Sequence, residues 1–205
     1  QLVRVDKESK EMIPPSAASE LLEKFTSLLP QADVVVISDY AKGVLSVDLL
    51  SRIIGLARNY NVSTLVDPKG RDYSKYRGAT IITPNRKEAF EACSDEIFTT
   101  VEDAGKLLLE KHSLEAVLIT QGENGMTLFE TGEAPRNMRA RARPVYDVAA
   151  AGDTDIATPA AGIGAGLSLG DAAEVANIAA GFVVEEVGTT VITLEKLKSE
   201  VDVFS

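Results

Sequence analysis

The sequence predicts an α/β fold, a largely parallel sheet with helices on both faces. Three observations carry that reading. Short apolar runs rich in Val, Ile and Leu recur along the chain, too brief for helices. Each run ends in a polar loop supplying Asp, Lys, Asn or Gly. A stretch with helical apolar spacing then precedes the next run, the alternation from which parallel sheets are wound.

In chain order, residues 1–6 alternate apolar and polar side chains and read as a strand with one buried face. That strand begins at once, without cap or turn, and the expectation is a chain that starts inside a larger domain. Pro14-Pro15-Ser16 breaks the chain and starts a helix over Ala17 to Leu29. Asp33 to Ser38 is a buried parallel strand, because its apolar residues are continuous rather than alternating. Asp39 to Gly43 follows as a loop, and Ser46 caps a helix running to about Arg58. Val62 to Val66 is the next strand, then Thr80 to Thr83, whose Pro84-Asn85 end leads into a helix. Thr100 or Asp103 opens the helix to Lys111, and Ala116 to Ile119 is a further strand. Met126 to Phe129, the run from Arg136 to Arg141, and Ala142 to Tyr146 read as antiparallel strands at the far edge, with Gly132 in a turn. From Asp153 onward two small-residue helices pack together, before a last strand and a short helix over Leu194 to Val201. No repeat or linker divides the 205 residues, which are read as one domain.

Composition narrows the function classes. A net charge of −10 argues against a duplex nucleic-acid partner, whose phosphates require basic residues. It leaves room for a nucleotide, since a local site can be positive within an acidic surface. Cys93 is the only cysteine, so no disulfide framework exists within the chain, and a reducing, cytoplasmic setting fits. It reads as a buried thiol. A single histidine, His112, makes a zinc cluster a poor reading. It follows Lys111 and reads as a solvated or C-terminal helix residue. The apolar stretch from Ile156 to Val184 is broken by Pro159, Asp171, Glu174 and glycines, so a membrane span is a poor reading and no membrane partner is expected.

The stretch around which the chain is organised is Asp147-Val148-Ala149-Ala150-Ala151-Gly152-Asp153-Thr154. Small residues ending in an acid, where a strand gives way to a helix, suit phosphoryl transfer. The exposed N–H groups of a helix start stabilise anionic phosphate, and a carboxylate there can take a proton from an attacking alcohol. A tightly packed helix start with an Asp favoured by the dipole fits equally well. Four loops join it: Asp39 to Gly43, Asp67 to Gly70, Asn85 to Glu88, and Thr120 to Gly125. Asn85 and Glu88 share one face of a first helical turn, where they serve either as a capping box or as organisers of water around Mg²⁺. Lys42 and Lys69 neutralise phosphate or are simply solvated. Gly122 and Gly125 are loop glycines or ligand contacts.

Together these residues resemble the ribokinase-type sugar kinases, the PfkB carbohydrate kinase family. Ser38-Asp39-Tyr40-Ala41-Lys42-Gly43, Asp67-Pro68-Lys69-Gly70, Tyr76-Arg77-Gly78-Ala79, Thr83-Pro84-Asn85 and Asp147-x5-Asp153 are similar, within it, to the kinase domains of bacterial bifunctional ADP-heptose synthases. The resemblance runs over essentially the whole chain, including Asn177 to Gly181. It implies a three-layer ribokinase-like sheet, ATP and Mg²⁺ as cofactors, and phosphorylation of D-glycero-D-manno-heptose 7-phosphate at O1, a step toward ADP-heptose and the lipopolysaccharide core. It implies Asp153 as catalytic base and the N–H groups of Ala150, Ala151 and Gly152 as anion hole. Asn85, Arg86, Lys87, Glu88, Thr120, Gly122 and Asn177 fall on its nucleotide side, Glu88 also touching the metal through water. Arg4, Asp6, Lys42 and Lys69 are its candidates for the sugar phosphate.

The chain departs from the family at Ala149 and Ala150, where Thr and Gly are usual, at Asp155, and at Pro159 inside the expected helix. A methyl group at Ala150 narrows the hole if that position needs φ > 0, and an interior proline costs about 3 kcal/mol. The family's amino-terminal part, with its sugar-binding Gly-Gly motif, has no counterpart in the chain, and neither does a His-x-Gly-His adenylyltransferase motif. A partial domain is therefore expected, the nucleotide and catalytic-base half. It is expected to form a homo-oligomer or to associate with a missing segment. Another sugar or nucleoside kinase of the family, or a catalytically impaired nucleotide-binding fragment, are the alternatives.

Overall fold

The computed structural model describes residues 11–94, 100–140 and 151–183 and positions 193, 195, 197 and 198, with backbone alone for 151–155 and 183. The opening strand over 1–6, the strand over 142–146 and most of the closing strand and helix lie outside the described residues.

Six strands form one sheet in chain order: β1 (Val34–Ser38), β2 (Ser63–Asp67), β3 (Ile81–Ile82), β4 (Ala116–Thr120), β5 (Met126–Glu130) and β6 (Arg136–Met138). The first four are parallel, whereas β5 and β6 return antiparallel through tight connections. The side chains alternate strictly between the two faces. Val66, Ile82, Val117 and Ile119 enter one core, and their neighbours Leu65, Ile81, Ala116 and Leu118 enter the other. Both faces of β2 to β4 are covered, which is why these strands read as unbroken apolar runs. The strand β1 corrects the expectation of a buried strand: only Ile37 is buried, and Val36 is exposed where no further helix covers the sheet edge among the described residues.

The first core is closed by α1 (Pro15–Leu28), α2 (Val47–Asn59), α3 (Arg86–Ala92) and α4 (Val101–Lys111). Ser46 begins α2 by accepting from the Leu49 amide, and Leu49, Leu50, Ile53, Ile54 and Ala57 then recur at helical spacing and are buried. Each large apolar side chain so buried contributes about 2 kcal/mol. Thr100, rather than Asp103, caps α4, and Asp103 completes the capping box.

The second core is thinner. It is closed by α5 (Ala151–Gly164) and α6 (Leu169–Val183), which contribute Ile156, Ala160, Ala173 and Ala176. Their small residues let the two backbones approach: a Cβ on Gly162 would stand 3.2 Å from that of Ala172. The helix α5 continues through Pro159, which is buried. Packing against α6, β1 and β2 holds it despite the one lost backbone bond.

His112 corrects an expectation. It is the C-terminal cap of α4, as its position suggested, but it is buried rather than solvated, lying against the Tyr73 ring. Burial, with the Lys111 and Arg77 charges, pushes its pKa below the usual 6.5, while Asp72 pulls the other way. Cys93 is buried as expected, at the end of α3.

Candidate active site

The carboxyl ends of β1 to β4 bring the four polar loops to one edge of the sheet, because parallel strands all end on the same side. The amino terminus of α5 reaches that edge too. Its last residue, Gly164, lies against Val34, the first residue of β1: a Cβ there would be 3.3 Å from a Val34 methyl. Since α5 also packs on β1 and β2, it runs antiparallel to them, and Ala151 stands at their carboxyl ends. Ala151, Gly152 and Asp153 therefore form the first turn of a helix whose positive end faces the loops. Ala150, Arg4 and Asp6 lie outside the described residues, as does the side chain of Asp153.

Asn85 caps α3. Its side chain accepts from the Glu88 amide at 3.0 Å, and Glu88 Oε2 accepts from the Asn85 amide at 3.2 Å. The capping box is thus present. It leaves the other Glu88 oxygen to Lys69, whose Nζ donates to Oε1 at 2.8 Å. That hydrogen bond, together with the charge on Glu88, raises the Lys69 pKa above 10.5. Thr120 bridges to Asn85 in parallel fashion and donates its amide to Pro84 at 3.0 Å. Lys69, Asn85, Glu88 and Thr120 are accordingly neighbours across the ends of β2, β3 and β4, with Gly122 two residues beyond Thr120.

Arg86, Lys87 and Asn177 lie elsewhere. Arg86 packs over the Phe90 ring and Lys87 pairs with Glu91 at 3.9 Å. Both line a separate surface depression with Arg71 and Phe90, on a different face of α3 from Glu88. Asn177 is buried in α6 and donates to the Arg139 carbonyl at 2.9 Å, tying α6 to the segment after β6. Lys42 lies beside the Tyr40 ring in a groove of about 530 Å³ along β1.

Sequence reasoning missed a buried cluster at the same edge. Asp39 Oδ2 accepts from Lys75 Nζ and from the Tyr76 hydroxyl, both at 2.6 Å. Burial raises the Asp39 pKa, but the bonds from Lys75, Tyr76 and the Ala41 amide outweigh it and hold the carboxyl below 3.8. An Asp closing an otherwise apolar run was the available signal, since such a group needs partners. Those partners lie too far along the chain for spacing to suggest.

One carboxylate on the candidate phosphate side suits Mg²⁺, which keeps much of its water and takes few protein ligands when it holds phosphates. Among the described residues no three His, Cys, Asp or Glu side chains gather to hold a metal by themselves.

The model of the pfkB family carbohydrate kinases matches residues 2–197. The chain belongs to that family. Members of that family are ATP-dependent phosphotransferases that act on carbohydrates. The chain is 43% identical over 202 residues to the bifunctional protein HldE of Desulfatibacillum aliphaticivorans, covering 98% of this chain and 41% of that protein. To the HldE of Alkalilimnicola ehrlichii it is 46% identical over 202 residues, covering 97% and 41%. The chain thus spans about two fifths of the length of these relatives. Among solved structures, phosphofructokinase-2 of Escherichia coli superposes with a TM-score of 0.79 at 16% identity, covering 92% of this chain and 62% of that one. Ribokinase of Thermotoga maritima gives 0.73 at 20% identity, covering 86% and 59%. The three-layer ribokinase-like fold is therefore that of this family member. No helix among the described residues is long and apolar enough to cross a membrane.

Proposed function

We propose that the chain is one partial kinase domain, the nucleotide and catalytic-base half of a heptose 7-phosphate kinase, working in the cytoplasm on precursors of the lipopolysaccharide core. The observation that supports it most is the convergence of the α5 amino terminus with the loops after β1 to β4, in a chain more than 40% identical to HldE proteins.

In this reading ATP lies along the ends of β3 and β4, beside Asn85, Glu88, Thr120 and Gly122, while Arg86, Lys87 and Asn177 stay outside the site. Glu88 would hold Mg²⁺ through water, and the ion would supply neutralisation of charge on the phosphates. Asp153 takes the proton from the anomeric hydroxyl of D-glycero-D-manno-heptose 7-phosphate. O1 then bonds to the γ-phosphorus as the bond to the ADP oxygen breaks, giving the 1,7-bisphosphate and ADP. The N–H groups of Ala150, Ala151 and Gly152 stabilise the charge of the transferring group. Lys42 and Lys69 serve the sugar phosphate, the side to which the family resemblance also assigns Arg4 and Asp6.

An ATP-turnover assay with the heptose 7-phosphate tests the reading, comparing the chain with Asp153→Asn. Loss of a general base lowers turnover by about 10² to 10⁴-fold. Equal rates would remove Asp153 from its role. Turnover on a different sugar or nucleoside would favour another member reaction of the family. Binding of Mg-ATP without turnover on any acceptor would favour the impaired fragment suggested by Ala150.

We also propose that two copies associate along β1. Among the described residues its outer edge pairs with no strand, and Val36 is 45% exposed beside the apolar groove.

A further inference from the structure

Asp39 stands at the carboxyl end of β1, and its two oxygens serve two different loops. Oδ1 accepts from the Ala41 amide at 2.7 Å, closing a short turn in which Ala41 holds a φ of 52°. A left-handed conformation is unfavourable for a non-glycine residue, and an Asp bond to the amide two residues on stabilises such a turn. Lys42 is the next residue. Oδ2 accepts from the Tyr76 hydroxyl, and that hydroxyl in turn accepts from the Lys69 amide at 2.9 Å.

The direction of these bonds is forced. Lys75 holds the same carboxylate at 2.6 Å and keeps it an acceptor. The single phenolic proton of Tyr76 must then point at Asp39, which turns its lone pairs to the Lys69 N–H. The Tyr76 ring is fully buried and meets Tyr73 edge-on at 5.6 Å, so its hydroxyl has one place to be. One path, from the Ala41 amide through Asp39 and Tyr76 to the Lys69 amide, therefore joins the loops after β1 and β2. Lysine side chains are flexible, so a protein that needs two of them around one anion must fix the backbone from which each springs.

We propose that Tyr76 is a positioning residue which, through Asp39, fixes the loops of Lys42 and Lys69 in one mutual arrangement and so shapes the site for the anionic group of a sugar phosphate. The loop coupling stands on the geometry alone, and its use for a sugar phosphate rests on the kinase reading above.

The test is amide hydrogen exchange of the full 205-residue chain, read by NMR at Ala41 and Lys69, in wild type and Tyr76→Phe. Titrations with heptose 7-phosphate and with Mg-ATP accompany it. Loss of the hydroxyl is expected to speed exchange at both amides about tenfold and to weaken sugar-phosphate binding similarly. Exchange in β4 and the affinity for Mg-ATP stay as they were. If β4 also loosens, the substitution has acted on the whole fold. Lys75→Met, which removes the other partner of Asp39 Oδ2, then decides by whether it speeds the same two amides. Unchanged exchange at Ala41 in both variants overturns the coupling. Loosened loops with unaltered sugar-phosphate affinity overturn the positioning role. Coupled loops in a wild-type chain that binds no sugar phosphate uphold the coupling and count against the kinase reading instead.

Discussion

Lys69 Nζ lies 2.8 Å from Glu88 Oε1, so the carboxylate that caps α3 also holds a cation from the end of β2. Glu88 is thus committed twice before any nucleotide arrives. The Lys69 side chain is 56% exposed, and solvent limits such a pair to under about 1 kcal/mol. A pair this weak can open for a competing cation.

Replacement of Glu88 by Gln preserves a capping box, which Gln also completes, but removes the charge. Stability is expected to change by less than about 1 kcal/mol, while the Mg²⁺ dependence of ATP binding falls. Calorimetric titration of ATP with and without Mg²⁺ measures it. Identical Mg²⁺ dependence in both proteins would leave Glu88 a cap and nothing more.

Gly122 and Gly125 differ although the sequence treats them alike. Gly125 has φ 86° and ψ −136°, and a Cβ there would collide with the Met138 carbonyl and the Ala140 amide. Gly125→Ala is expected to cost about 3 kcal/mol. Gly122 has φ 57° with open space around its missing Cβ, so Gly122→Asn costs less than about 1 kcal/mol. Urea denaturation of the two variants ranks them, and equal costs would mean the turn rearranges freely.

His112 makes stability fall toward acid. Its folded pKa lies below 6.5, so the unfolded chain takes up the proton first. The contribution is whole above about pH 6.5 and is lost as pH falls below it, at no more than about 1.4 kcal/mol per unit. It is the only histidine, so no other side chain with an ordinary pKa titrates near there. Urea midpoints at about pH 7.5 and 5.5 should differ less in His112→Gln than in wild type. An undiminished difference would assign the acid sensitivity to another group.

Val36→Lys tests the β1 edge. A lysine on an exposed strand edge opposes pairing with another chain. Sedimentation over a concentration series should show association in the wild type and a smaller species in the variant. A compact wild-type monomer at every concentration would show that the chain closes its own edge.

The sequence by itself determined the order of strands and helices, because strands covered on both faces must be continuous apolar runs and capped helices announce themselves. Ser46, Asn85 and Thr100 act within three residues of their partners, the range over which spacing is informative. Parallel strands likewise bring their terminal loops to one edge, so the loops that carry Lys69, Asn85, Glu88 and Thr120 are placed there by the sequence pattern alone. Tertiary structure alone decided which of those groups touch. Lys69 meets Glu88 across 19 residues, and Asp39 meets Lys75 and Tyr76 across 36 and 37. It also separated Arg86 and Lys87 from Glu88 on the same short helix and buried His112 against Tyr73. Such pairings depend on how far each loop reaches and which way each side chain turns, and both are set by the packing of distant segments rather than by local spacing.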